Sequence, residues 1–295
     1  MTEVLMTQKP PPRDYRAGGA PVLITGCSSG IGLATALALA RDGYLVVANV
    51  KSLEEQGTLR EDARREDLPI DILPFDITDE AATAEAFRYL ALKYGRLHAL
   101  VNNAGIAGGG FFEDVADDEL RPIFEVNLFG TARVTRMALP MLRAAGSSYL
   151  VTVSSMAGRL GVPAMGVYHS SKFALEGLFE SIALEMRPHG VRVTLVEPGL
   201  IRTSIVGPGL RLARRFDDPS SVHRERARKL WTDFQKRFER TAQPPETVAR
   251  AIVRILSSAN PPLRQPVGLD SKIILAIQKL LPEWLWLKLW RPLAG

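Results

Sequence analysis

The sequence predicts an α/β protein: one doubly wound parallel sheet with helices on both faces. Three observations predict it. Short apolar runs alternate with helical patterns from Val22 to about Ser257, with no linker-like break. The first run stops at a glycine-rich turn, and an Ala- and Leu-rich helical pattern follows at once. The chemically distinctive residues fall just past the ends of the runs, on the side where such sheets bind ligands.

Composition bounds the reading. The chain has 295 residues, 46% hydrophobic and 23% charged, an ordinary globular balance. Its net charge of +5 gives no reason to invoke nucleic acid without a basic stripe. A single cysteine, Cys27, excludes an intrachain disulfide framework and suits a reducing, cytoplasmic compartment. No Cys/His group has metal-ligand spacing, so no metal site is expected. Residues 1–20, with Pro10-Pro11-Pro12 and Gly18-Gly19, read as an irregular arm lacking the apolar core of a signal peptide. No run is long enough to span a membrane.

The elements follow in order. Val22-Leu23-Ile24 is the first strand. Gly26-Cys27-Ser28-Ser29-Gly30-Ile31-Gly32 is the turn, and Leu33 to Asp42 the helix. Strand, glycine turn and helix make the phosphate-binding start of a Rossmann-like unit: the glycines admit a pyrophosphate, and the helix N-terminus offers free N–H groups. Cys27 reads as a small filler. Leu45 to Val50 is the second strand. Lys51 and Ser52 follow it where an acid would bind the ribose hydroxyls of NAD, and a cation and a hydroxyl suit the extra phosphate of NADP. Glu54 and Glu55 lie close by, and a solvated lysine is the plainer alternative. Ile70 to Phe75 ends at Asp76-Ile77, where Asp76 could meet an adenine amino group or cap the next helix. Leu97 to Val101 leads into Asn102-Asn103-Ala104-Gly105, and Gly108-Gly109-Gly110 reads as a flexible bend. A helical pattern from Asp117 to Leu142 is interrupted at Pro122 and Pro140 and carries Asn127, either a surface amide or a buried one needing partners. Tyr149 to Val153 ends at Ser154-Ser155, and Val191 to Val196 at Glu197-Pro198-Gly199.

Tyr168 and Lys172 lie four apart at the start of a helix, one turn from each other on one face. A nearby ammonium favours phenolate and lowers a tyrosine pKa, fitting it for proton transfer to an alcohol or ketone oxygen. Alone, the pair reads equally as a half-buried Tyr beside a solvated Lys.

Taken in order and spacing, Thr25-Gly26-x-x-x-Gly30-Ile31-Gly32, Asn102-Asn103-Ala104-Gly105, Asn127, Ser155, Tyr168-x-x-x-Lys172 and Pro198-Gly199 resemble the short-chain dehydrogenase/reductases over about residues 20–260. The resemblance implies an oxidoreductase that passes hydride between a nicotinamide cofactor and an alcohol or ketone. It implies that Tyr168 is the acid/base, that Lys172 lowers its pKa and holds the ribose, that Ser155 binds the carbonyl and that Asn127 holds a water of the proton relay. Cofactor contacts are implied at Asn103, Ala104 and Gly105, at Asp76 and Ile77, and at Pro198, Gly199, Ile201 and Thr203. Relatives usually pair through the helices carrying Asn127 and Tyr168, which implies a homodimer or homotetramer.

Beyond the last motif, residues 200–241 match the position of a substrate lid. Trp231, Phe234 and Phe238 form one apolar stripe, read either as helix packing or as the wall of a bulky hydrophobic site. The lid arginines read either as solvated or as attracting an acid. Residues 258–268 read as a proline-rich connection, and 261–295 as an apolar tail that resembles the retinol and hydroxysteroid dehydrogenase subgroup. The tail suits a membrane surface, a lid contact or a subunit interface. Expected, then, is a Rossmann-like catalytic domain over 21–260, preferring NADP(H) with NAD(H) possible, acting on a steroid-, retinoid- or lipid-like alcohol or ketone. An NAD-preferring dehydrogenase of small polar alcohols and a non-catalytic nucleotide sensor are the alternatives.

Overall fold

The computed structural model describes residues 15–206 and 209–294. The expected irregular arm lies, up to residue 14, outside the described residues. The elements are β1 (Val22–Ile24), α1 (Gly30–Arg41), β2 (Val46–Val50), α2 (Gly57–Arg65), β3 (Ile70–Pro74), α3 (Glu80–Tyr94), β4 (Ala99–Asn102) and β5 (Ala107–Gly109). Next come α4 (Asp117–Phe124), α5 (Thr131–Ala144), β6 (Ser148–Val153), α6 (Gly166–Met186), β7 (Val191–Pro198) and β8 (Leu210–Leu212). The chain closes with α7 (Arg224–Thr241), α8 (Glu246–Leu256), β9 (Arg264–Val267), α9 (Leu269–Leu280) and α10 (Glu283–Ala294).

Seven parallel strands form one sheet in the order β3-β2-β1-β4-β6-β7-β9. Strand pleating sorts the side chains between two cores. Val22 and Ile24 face one way, into a cluster with Leu39 of α1 and Ile252 of α8. Leu23 faces the other way, with Leu90 of α3, Val134 of α5 and Phe179 of α6. Burial on both faces explains why β1, β2 and β6 read as mostly apolar rather than alternating. Strand order reverses at β1, flanked by β2 and β4, so a crevice opens at their C-terminal ends.

Helix ends follow local chemistry. Asp79 caps α3 by accepting from Ala82 N at 3.0 Å, and Gly95, with φ +68°, ends it in the left-handed region. The helix expected over 117–142 is three pieces: α4, a π-helical stretch at Glu125–Gly130, and α5, which contains Pro140 rather than breaking there.

Two expectations are corrected. Gly108 and Gly109 belong to β5, which pairs in parallel with β8 in a two-stranded ribbon, so they are not part of a flexible bend. The site is close-packed: a Cβ on Gly108 would lie 2.3 Å from Ile123 Cδ1, which would have to move aside. The proline-rich connection carries β9, the edge strand of the main sheet, which therefore runs past residue 260. Pro266 is tolerated there because an edge strand has one unpaired side. The apolar tail is two helices, α9 and α10, parted at Leu281-Pro282; no helix among the described residues is long and apolar enough to cross a membrane.

Candidate active site

A cleft of about 740 Å³ runs along the C-terminal ends of the strands. That lies within the range of roughly 300–1,000 Å³ typical of small-molecule sites. It starts at the glycine turn, passes Lys51 and Asp76, and continues past Ser155, Tyr168 and Lys172 to Trp231 and Phe234 of α7.

The turn after β1 is fixed from beneath. Asn103 Nδ2 donates to the carbonyls of Thr25 and Gly26 at 2.9 and 3.0 Å, and the Thr25 hydroxyl accepts from the N–H groups of Asn103 and Ala104. Gly26 has φ +70°, and a Cβ on it would sit 2.8 Å from Ala104 Cα. A Cβ on Gly32 would lie 2.1 Å from the Gly26 carbonyl oxygen, so only glycine lets α1 start this close to the turn. Ser29 makes no capping hydrogen bond, which leaves the first turn of α1 facing the cleft with its N–H groups free of a side-chain cap. A cradle of this kind fits the pyrophosphate of a dinucleotide. Cys27 is buried, with its thiol donating to the Ile24 carbonyl at 3.3 Å, and burial pushes its pKa up, so it is the inert filler expected.

At the far end of the turn, Lys51 and Asp76 form an ion pair at 3.2 Å. Asp76 also accepts from the Thr78 N–H and hydroxyl at 2.9 and 2.8 Å. Burial works to raise the Asp76 carboxyl, but the Thr78 and Lys51 hydrogen bonds outweigh it and hold the group below its usual range. The helix-capping alternative for Asp76 falls to Asp79 instead. Lys51 remains largely exposed at the cleft edge, and Ile77 lines the cleft beside it.

Around Tyr168, β6 and α6 converge. Ser155 lies two residues past β6; its Oγ accepts from Ala157 N at 3.1 Å, and it lines the cleft with Tyr168. The Tyr168 ring borders the cleft, and burial pushes its pKa up to about 12, with Ser155 pulling the other way. Lys172 is buried, donates to the Val153 carbonyl at 3.0 Å and sits 5.8 Å from the Tyr168 ring centroid. Burial pushes Lys172 down to about 8, against the attraction of Glu176. The expected lowering of the Tyr168 pKa is therefore corrected: burial raises it, and the opposing influence comes from Ser155.

Asn127 is buried in the π-helical stretch, not on the surface. Its Oδ1 accepts from Ile106 N at 2.9 Å, and its Nδ2 donates to Ile106 O at 2.9 Å and to Ser171 Oγ at 3.0 Å. It ties the segment after β4 to α6. Asn127 and Gly32 lie behind the cleft lining. The other expected residues, Gly26, Ser28, Ser29, Gly30, Ile31, Lys51, Asp76, Ile77, Asn103, Ala104, Gly105, Ser155, Tyr168, Lys172, Pro198, Gly199, Ile201 and Thr203, are on it.

Two residues that hold the site escaped the sequence reading. Asn49, buried in β2, accepts from Gly26 N at 3.2 Å and donates to the carbonyls of Val50, Leu73 and Phe75. Its signal was a lone amide inside an apolar strand. Asp270 at the start of α9 accepts from Leu200 N at 2.8 Å and packs so close that a Cβ on Gly199 would meet it at 2.1 Å. Nothing local in the sequence links Asp270 to Pro198-Gly199.

The lid is held by charge. Arg214 makes two bonds to Asp118, at 2.9 and 2.7 Å; Arg215 pairs with Asp114 at 3.3 Å; Arg224 and Arg228 both pair with Asp217. His223 stacks on Phe111 and meets Glu113 at 2.9 Å. These arginines are thus engaged within the chain, while Arg211 lines the cleft. Trp231 stacks on Phe234 and both line the cleft; Phe238 packs behind Phe234.

Residues 20–209 match the family model described as short chain dehydrogenase. Retinol dehydrogenase 8 of Bos taurus is 34% identical over 89% of this chain and 86% of its own length. Human 17-beta-hydroxysteroid dehydrogenase type 1 is 36% identical over 82% of this chain and 76% of its own. Among solved structures, a short-chain dehydrogenase from Streptomyces avermitilis superposes with a TM-score of 0.76 at 32% identity, covering 88% of this chain and 93% of that one. Actinorhodin polyketide ketoreductase with NADPH gives 0.73 at 25% identity, covering 86% and 97%.

Proposed function

The chain belongs to the short-chain dehydrogenase family and is an NAD(P)-dependent oxidoreductase; from that premise we propose that it interconverts a bulky hydrophobic alcohol and its ketone or aldehyde, with Tyr168 as acid/base and a preference for NADP(H). The observation that carries the chemistry is Ser155 and Tyr168 together in the cleft wall, with the Lys172 ammonium 5.8 Å from the centre of the same ring.

Gly26, Ser28, Ser29, Gly30 and Ile31 would receive the pyrophosphate, Lys51 a 2′-phosphate, Asp76 and Ile77 the adenine. Asn103, Ala104, Gly105, Lys172, Pro198, Gly199, Ile201 and Thr203 would receive the nicotinamide half. The cofactor supplies or accepts the hydride. In the reducing direction, Tyr168 gives its proton to the developing alkoxide; a phenol with pKa near 12 is fully protonated, the form that step needs. Ser155 Oγ accepts from Ala157, which leaves its O–H free to donate to the same oxygen. Lys172 supplies charge and a donor to the ribose hydroxyls. Asn127 fixes the backbone around Ile106, beside which a relay water would sit.

The bulky-substrate reading rests on Trp231, Phe234 and Leu230 lining the lid side of the cleft, and on relatives named for a retinol and a hydroxysteroid. On α9 and α10, Ile273, Ile277, Leu280, Trp284 and Leu287 are all exposed at three- and four-residue spacing, with Ile274 reaching the cleft. These exposed apolar positions, three on α9 and two on α10, support peripheral contact with a lipid surface from which an apolar substrate would come. A homo-oligomer is proposed from the family alone.

The test is NADPH or NADH absorbance with a panel of apolar and small polar ketones and alcohols. Turnover is expected with apolar substrates and NADPH; turnover only with small polar alcohols and NAD, or none at all, contradicts the reading. Lys51→Asp should move the preference toward NAD(H) by at least about tenfold in kcat/KM, since an acid at this place repels the 2′-phosphate.

A further inference from the structure

One turn along α6 from Lys172 lies a charged cluster that the reaction leaves unused. Glu176 follows Lys172 by one helical turn and is only 4% exposed. Its Oε2 accepts from Arg264 of β9 at 2.9 Å. The same guanidinium donates to Glu180 at 2.6 Å and lies 3.8 Å from Glu197 Oε1 at the end of β7. Glu197, 1% exposed, accepts from Arg159 at 3.0 Å. The second Glu176 oxygen, Oε1, is buried with no hydrogen-bond partner among the described residues; the same is true of Ser154 Oγ, which belongs to the cleft wall. Both abut Gly158, where a Cβ would lie 2.9 Å from Glu176 Cγ and 2.9 Å from Ser154 Oγ. The interior charge of the cluster thus extends to within a residue of the cleft.

Charge balance ties the cluster to the site. Glu176, Glu180 and Glu197 face Arg264 and Arg159, which leaves one negative charge over. Glu180 is half in solvent, but Glu176 and Glu197 are not, and a buried carboxylate without compensation is costly. The nearest further cation on α6 is Lys172, itself buried and without an ion-pair partner at contact distance. We propose that Glu176, clamped by Arg264, is a positioning residue: its carboxylate keeps Lys172 charged in the wall of the cofactor cleft.

The groups facing Glu176 all bear on this. Burial pushes Lys172 down, and Glu176 is the charge that opposes the fall. Burial raises Glu197, Glu176 raises it further, and Arg159 and Arg264 pull it back. Removing the Glu176 charge leaves Lys172 with burial alone, so it sheds its proton at lower pH. The inference rests on the proposed role of Lys172 toward the nucleotide.

The test is NADPH binding by fluorescence titration across pH 6–10 in wild type, Glu176→Gln and Glu176→Asp, with thermal melts as folding controls. Wild-type affinity should fall on the alkaline side as Lys172 loses its charge. In E176Q the midpoint of that fall should move down by about one pH unit, tenfold in proton affinity, while affinity at pH 6 stays within about threefold of wild type. Glu176→Asp, which keeps the charge, should return the midpoint toward wild type. A flat wild-type profile, or variants that bind more weakly at every pH with the midpoint unmoved, would overturn the proposal. Failure of the oxidoreductase reading is distinguishable: it shows as no turnover across the substrate panel, with NADPH binding and its pH dependence intact.

Discussion

On the sheet side of the cleft, buried and half-buried polar groups are bonded to backbone: half-buried Asn103 to Thr25 and Gly26, buried Asn49 to three carbonyls, buried Asn127 to both polar groups of Ile106. On the lid side, α7 buries one residue, Ala227, and the segment is fastened by exposed ion pairs such as Arg214–Asp118. Buried hydrogen bonds fix a geometry, because breaking one strands a polar group away from water. Exposed ion pairs are weak and screened by salt. The sheet wall is thus suited to holding reacting groups in place. The lid wall can change its apolar lining at little cost to the fold, which is where substrate choice would be set.

Substitutions on the two walls should therefore fail differently. The largest effect belongs to Gly32→Ala, where the new Cβ meets backbone that cannot step aside. NADPH binding should weaken at least about 100-fold and stability should drop by about 2 kcal/mol, the scale of overpacking; near-normal binding would mean that the turn is as adaptable as the lid.

A second probe is the buried cation of the sheet wall. Lys172 titrates near 8 in the folded chain against an ordinary value of 10.5. Between those values the unfolded chain keeps a proton that the folded chain has released, so stability contributed here rises with pH from about 8 to 10.5. Lys172→Met removes the charge and its burial cost. It should abolish most turnover yet melt higher at pH 7, by on the order of 2 kcal/mol, with the advantage closing toward pH 10.5. Comparing variant with wild type at each pH cancels the other titrating groups. A constant offset would show that Lys172 is not the group titrating.

The smallest effect should come from the lid. Trp231→Ala should raise KM for a bulky apolar substrate about tenfold, with NADPH affinity and melting temperature near wild type. Loss of cofactor binding in that variant would erase the distinction between the walls.

The same contrast explains what the sequence disclosed. Strands β1, β2, β4, β6 and β7 were legible because burial on both faces leaves mostly apolar runs. The glycine turn and the Tyr168–Lys172 pair were legible because their chemistry depends on close spacing. The ribbon of β5 and β8 was not: Gly108 and Gly109 carry no strand pattern, and their pairing partner is a hundred residues away. Strand β9 was hidden by Pro266 and by its place at the sheet edge. Asp270 supports Gly199 across 70 residues of chain, a contact that no local pattern encodes. The Tyr168 pKa was read in the wrong direction because spacing reveals a neighbouring charge but not the depth of burial.

Turnover of Tyr168→Phe tests the central claim most directly. The substitution removes one hydroxyl from a wall otherwise left in place. Hydride transfer followed by NADPH absorbance should fall at least about 100-fold, with NADPH affinity within a few-fold of wild type. Turnover near the wild-type rate in a folded, NADPH-binding variant would contradict the assignment of Tyr168 as the acid/base.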